Sequence, residues 1–152
     1  MPGASKDRGE VRCSKCHRVL ERDDIIKCPR CKTLNSRLHQ FATEMKQDQL
    51  IVAFLWRPDG GMASSISIRK EIWSNTGSFP GVPTDQIEFP VFHLYNHIDP
   101  SKAHGPDSGC RVNPLNKPYL KLEDAFVLAK RFEEEALASG KWVRVEDLKS
   151  IQ

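Results

Sequence analysis

A chain of 152 residues with 23 Lys/Arg against 20 Asp/Glu carries a formal net charge of only +3, and 39% of its residues are hydrophobic. That composition is too apolar for a wholly disordered chain, and no apolar run is long enough to span a bilayer, so no membrane partner is expected. The charge is uneven: residues 5–37 hold ten Lys/Arg and five Asp/Glu, a net of +5, which leaves 13 and 15 for the rest.

Met1 to Glu10 is small, polar and charged, and reads as a mobile arm. It lacks the apolar centre of a secretory signal, so a soluble cytoplasmic protein is expected. In that reducing compartment paired cysteines favour metal over disulfide. Residues 11–35 hold four of the five cysteines as two pairs, Cys13-Ser14-Lys15-Cys16 and Cys28-Pro29-Arg30-Cys31. Each Cys-x2-Cys turn can offer two sulfurs to one ion, and four soft ligands suit a tetrahedral Zn²⁺. Cys13, Cys16, Cys28 and Cys31 are therefore the expected ligands of a small zinc finger of knuckle or ribbon type. The sequence Cys13-x2-Cys16-His17 also fits haem attachment, but haem leaves the second pair unexplained. With four sulfurs available, His17 is expected beside the site. Val19-Leu20 and Ile25-Ile26 flank Glu21-Arg22-Asp23-Asp24, which predicts a hairpin between the two pairs. Four thiolates leave no open coordination place for water, so the zinc is expected to be structural and the chain is not read as a zinc enzyme.

Residues 36–47 are polar, with Leu38, Phe41 and Met45 at spacings of three and four, which predicts a linker with a brief helix. Residues 48–152 then read as an α+β domain with an antiparallel sheet and one main helix. Strands are predicted over 48–56 and 64–73, joined by Arg57-Pro58-Asp59-Gly60-Gly61, with Ile66, Ile68 and Ile72 on one face. A third strand is predicted over 87–95 despite Pro90. The helix is predicted over 120–139 with Gly140 as its cap, and a closing strand over 141–145. Glu133-Glu134-Glu135 reads as a solvated helix face, and Trp56, Trp73 and Trp142 as packing residues.

The segment Cys13-x2-Cys16-His17-Arg18-x-Leu20, followed by Ile26-Lys27-Cys28-Pro29-Arg30-Cys31-Lys32-Thr33-Leu34-Asn35, resembles the Com family of Mu-like phages. Those are small zinc-finger regulators that bind messenger RNA and activate translation. The resemblance implies a phage or prophage protein of the host-cell cytoplasm, with the four cysteines as zinc ligands and RNA or DNA as partner. Lys15, Arg18, Arg30 and Lys32 lie in or beside the cysteine turns and are the expected nucleic-acid contacts, on phosphates and base edges. A rival reading makes the chain a protein-interaction module or inhibitor of a host complex, motivated by the acidic balance and long loop of the larger domain.

Residues 96–118 contain Pro100, Pro106, Pro114 and Pro118 at irregular spacing with Gly105 and Gly109 among them, and a loop of that length is often functional. In and just before it lie His93, Asn96, His97, Asp99, His104, Cys110 and Asn113. Residues 92–100 weakly resemble the first strand of an HNH nuclease, with His97 as general base and Asn113 in the middle position, although the helix that follows has no histidine. Alternatively His93, His97, His104 and Cys110 form a second metal site.

Overall fold

The computed structural model describes residues 11–21, 25–32, 34–44, 46–76 and 79–146. The arm expected over 1–10, the Arg22-Asp23-Asp24 portion of the expected turn, Thr33, Met45, Gly77-Ser78 and the last six residues lie outside the described residues.

Two very short strands, β1 (Val11–Arg12) and β2 (Val19–Leu20), pair antiparallel with Val11 opposite Leu20. The first cysteine turn is therefore enclosed by its own hairpin. The second is closed the same way, by a bridge between Lys27 and Leu34 and an Asn35 N–H to Ile26 O bond of 2.6 Å. The hairpin predicted between the two pairs is not what forms among the described residues: Val19-Leu20 pairs backward with Val11-Arg12, and Ile26 meets Asn35. Closing a loop around each cysteine pair spans fewer residues and aims both sulfurs of a pair the same way.

Helix α1 (Ser36–Thr43) follows, capped by Asn35, whose side-chain oxygen accepts the Leu38 N–H. Eight residues are too few for an independently stable helix, so burial must hold it. Leu38 and Phe41 are fully buried, and the Phe41 ring packs 5.8 Å from that of Phe92. Residues expected as a linker thus carry part of the core.

The main sheet has the order β5-β4-β3-β6, antiparallel throughout, from β3 (Gln49–Arg57), β4 (Met62–Ser74), β5 (Glu88–Asn96) and β6 (Val143–Arg144). The β3–β4 turn ends on Gly61, whose φ of 59° lies in the left-handed region that glycine adopts without strain. A register shift between Ile51 and Ala53 lets Leu50, Ala53 and Leu55 all enter the core. Ile66 and Ile68 of β4 face the same way and are wholly buried, as is Leu94 of β5. Helix α2 (Leu122–Ala138) lies across β3, β4 and β5, inserting Leu122, Ala125, Ala129 and Phe132. Its Glu133 is buried, not solvated as predicted, and is held by Lys130 at 2.5 Å and Arg144 at 3.2 Å, which ties β6 to the helix. Val11, Cys13, Leu20, Ile25 and Cys28 belong to the same apolar cluster as Phe41, Leu50, Ile68 and Phe132.

The segment after β5 is more ordered than its proline content predicts. It returns along the outer side of β5, with Val112 N–H to Leu94 O at 2.7 Å and reciprocal bonds between Phe92 and Tyr119. That covers an edge otherwise open to pairing, and Pro90 sits on this outermost strand. No helix among the described residues is long and apolar enough to cross a membrane.

Candidate metal centre

The two cysteine turns have the same backbone design. His17 N–H bonds to Cys13 O at 3.0 Å, and Lys32 N–H bonds to Cys28 O at 2.9 Å. In each turn the residue after the second cysteine is left-handed, at φ 64° for His17 and 62° for Lys32. That reversal turns the chain back after two sulfurs have been presented to the same point.

The sulfurs converge as the spacing predicted. Cys13 Sγ is 3.4 Å from Cys31 Sγ, Cys16 Sγ is 3.7 Å from Cys28 Sγ, and all four lie within 4.8 Å of one another. Four thiolates about 2.3 Å from a shared zinc stand about 3.8 Å apart, whereas a disulfide requires about 2.05 Å. All five cysteines are unbridged, so the quartet has the size of a tetrahedral Zn²⁺ site. Residues 7–44 match the zinc-ribbon family model described as Mu-like prophage protein Com. The Com-type match runs through α1, beyond the 11–35 segment that carries the resemblance, and covers a quarter of the chain. Neither the curated proteins nor the solved structures yielded a match to this chain.

Within the Com-type ribbon the hydrogen bonds favour thiolates. Amide N–H groups of Cys16 and Lys15 point at Cys13 Sγ, at 3.5 and 3.4 Å, and hold its pKa below the ordinary thiol value. Cys16 receives a similar bond from Arg18, but burial and the crowding of Cys13, Cys28 and Cys31 outweigh it and push its pKa up to about 11. Four sulfurs this close cannot all ionise without a cation between them, so the donor set fits zinc. When bound, the ion supplies cross-linking of the fold. His17 lies beside the quartet and is exposed, and Lys15, Arg18, Arg30 and Lys32 are exposed on and around the two turns.

The histidine-rich cluster is not gathered into a second metal site: among the described residues only the cysteine quartet brings three or more ligand atoms together. His97 and His104 are exposed, with His97 stacked on Tyr95 at 5.9 Å. Cys110 adopts φ 73° and its carbonyl accepts the Asn96 N–H, a backbone role. Asn96 caps a turn through Ile98 and Asp99 N–H groups, both at 3.0 Å. Asn113, expected in the middle of an HNH-type set, is buried and largely committed to backbone: its Oδ1 accepts the Leu94 N–H at 2.9 Å, and its two Nδ2 hydrogens are shared among Pro114 O, Lys117 O and the His93 ring.

Asn113 Nδ2 also lies 3.1 Å from His93 Nδ1. A donor at Nδ1 makes that nitrogen an acceptor, so the proton of neutral His93 resides on Nε2. This Nε2 is 3.1 Å from Glu71 Oε1, yet among the described residues it is the buried side-chain nitrogen or oxygen without an aligned hydrogen bond. Sequence inspection missed Glu71, because only the pairing of β4 with β5 brings it to His93.

Burial holds the His93 pKa below its ordinary 6.5, the Glu71 carboxylate opposing and Arg111 reinforcing that shift. The unfolded chain therefore binds the His93 proton at a pH where the folded chain does not, and stability falls as pH drops below 6.5. The loss should approach 1.4 kcal/mol per pH unit down to the folded pKa. Thermal midpoints measured from pH 7.5 to 5 should fall more steeply for the natural chain than for His93→Gln, and equal slopes would refute this assignment.

Proposed function

We propose that the chain is a nucleic-acid-binding regulatory protein of phage or prophage origin, whose Com-type ribbon contacts RNA or DNA through Lys15, Arg18, Arg30 and Lys32. The observation that carries this reading is the placement of those four cations. They are exposed on two loops of matching design held by one metal quartet, and among the described residues none is ion-paired to a carboxylate. Rigid loops bearing guanidinium and ammonium groups suit phosphates, and the arginines can also read guanine edges. A partner resident in the cytoplasm of the host cell is consistent with this chemistry.

Fluorescence anisotropy of the zinc-loaded chain with single-stranded and duplex RNA and DNA tests the proposal. Affinity should fall linearly on logarithmic axes between 50 and 200 mM salt, as counterion release requires. Replacing all four cations by alanine should weaken binding at least about 100-fold and flatten the salt slope by about 3. No detectable binding at low salt would end this reading.

A second reading, contact with a host protein, draws on Ile51, Phe54 and Met62 of β3 and β4, which are 46%, 50% and 48% exposed. A partner that survives nuclease treatment of a pull-down, and that is lost on Phe54→Ser, would favour it.

A further inference from the structure

The sheet face opposite Ile68 and Lys70 carries a groove unrelated to the ribbon. Strand side chains alternate, so Glu71 and Trp73 point away from the core that Ile68 and Lys70 enter. The groove has a volume of about 730 Å³ and is lined by Glu71, Trp73, Phe79, His104, Arg111 and Leu115, among others. That size is within the usual range of small-molecule sites.

Its chemistry is asymmetric. The Trp73 and Phe79 rings meet edge to face, with centroids 5.8 Å apart and planes at 77°. Glu71 is 46% exposed and its carboxylate is oriented from behind. Wholly buried His93 presents Nε2 to Oε1 at 3.1 Å without an aligned bond, and Trp73 Nε1 approaches Oε2 at 3.4 Å. Each carboxylate oxygen retains lone pairs for a ligand. Arg111, which also lines the groove, is fixed by its Nε bond to Asn113 O at 2.9 Å, and His104 is a further lining residue.

We propose that this groove binds an unpaired guanine nucleotide. Guanine alone among the common bases presents two adjacent N–H donors, N1 and N2, on its Watson–Crick edge, the complement of a carboxylate with two accepting oxygens. Adenine and cytosine set an acceptor beside their amino group, and uracil offers one donor between two acceptors. The ring of Trp73 or Phe79 supplies a stacking surface for the base, and Arg111 with His104 supplies the phosphate partner. A purely cationic ligand suits the site poorly because Arg111 would repel it. The proposal stands independently of the ribbon's partner, since no ribbon residue lines the groove.

The test uses the full zinc-loaded chain and the 5′-monophosphates of guanosine, inosine, adenosine and uridine, followed through tryptophan indole N–H resonances assigned with Trp73→Phe. Guanosine monophosphate should shift the Trp73 signal and bind about tenfold more tightly than the adenosine or uridine forms. Inosine, lacking the 2-amino group, should fall between. Glu71→Gln should erase the preference, and Glu71→Asp, which keeps the charge but shortens its reach, should weaken it. The Lys15→Ala/Arg30→Ala variant should leave it intact. Zinc content and spectral dispersion report folding of each variant. No Trp73 shift at millimolar nucleotide, an equal response to all four, or a response unaltered in folded Glu71→Gln overturns the proposal, as does a shift produced by N-acetylarginine amide in place of the nucleotide.

Discussion

Chelating the zinc, or replacing Cys28 by serine, should unfold the ribbon and loosen α1 along with it. Structural zinc in small modules is worth apparent values of about 10–16 kcal/mol at neutral pH, far more than two-residue strands can supply. Cys28 is 1% exposed and Cys13 4%, so without the ion these thiols become part of an apolar cluster with nothing to fix their geometry. The effect should spread because Val11, Leu20 and Ile25 share that cluster with Leu38 and Phe41. Cobalt substitution offers a direct readout: one equivalent of Co²⁺ per chain should give the absorption of a tetrahedral thiolate site, unchanged in Cys110→Ser and lost in Cys28→Ser. Hydrogen exchange after chelation should show Phe41 and Leu38 amides losing protection, while the amides of β4 keep theirs. Two equivalents of tightly held metal, or full protection after chelation, would contradict this arrangement.

Lys70→Met should cost about 3 kcal/mol, although it replaces one long, flexible side chain by another. Lys70 lies on β4, 4% exposed, and its ammonium donates to Phe41 O at 2.6 Å and also to Glu44 O. Those carbonyls belong to the end of α1, which has no basic residue in its own last turn. The sheet thus provides the cation that the helix terminus attracts, and the same ammonium lies 5.4 Å from the Phe41 ring centroid. Burial lowers the Lys70 pKa from its ordinary value, and the Glu44 charge partly opposes that shift. Methionine fills the space but leaves the carbonyls without donors, and hydrogen bonds to charged groups carry about 1.5–3 kcal/mol each. Urea denaturation should show the loss as a lower midpoint with unchanged slope. A change below about 0.5 kcal/mol would mean that water replaces the ammonium.

The metal quartet was legible before any coordinates because coordination chemistry is local: two residues between cysteines suffice to aim both sulfurs at one ion. Helix α2 was similarly legible, since Leu122, Ala125, Ala129 and Phe132 recur at helical spacing and Gly140 adopts φ 76° just beyond its end. The β3–β4 hairpin follows from alternation and a proline-glycine turn. The location of the ribbon hairpins was not legible. Val19 and Leu20 had apolar neighbours on both sides in sequence, and which side pairs depends on where the sulfurs must meet.

Asn113 and His93 illustrate the same limit at a distance. They are 20 residues apart, and nothing in the intervening prolines and glycines announces that one amide will serve Leu94, Pro114, Lys117 and the imidazole together. Composition and spacing by themselves determined the zinc ligands, the basic character of the ribbon and the α+β class of the larger part. Tertiary structure alone decided that Lys70 closes α1, that Glu133 is buried between two cations, and that Glu71 faces His93. The physical reason is range. Metal ligation and helical periodicity act within a few residues, whereas desolvation and cross-strand register depend on which distant segments exclude water from one another.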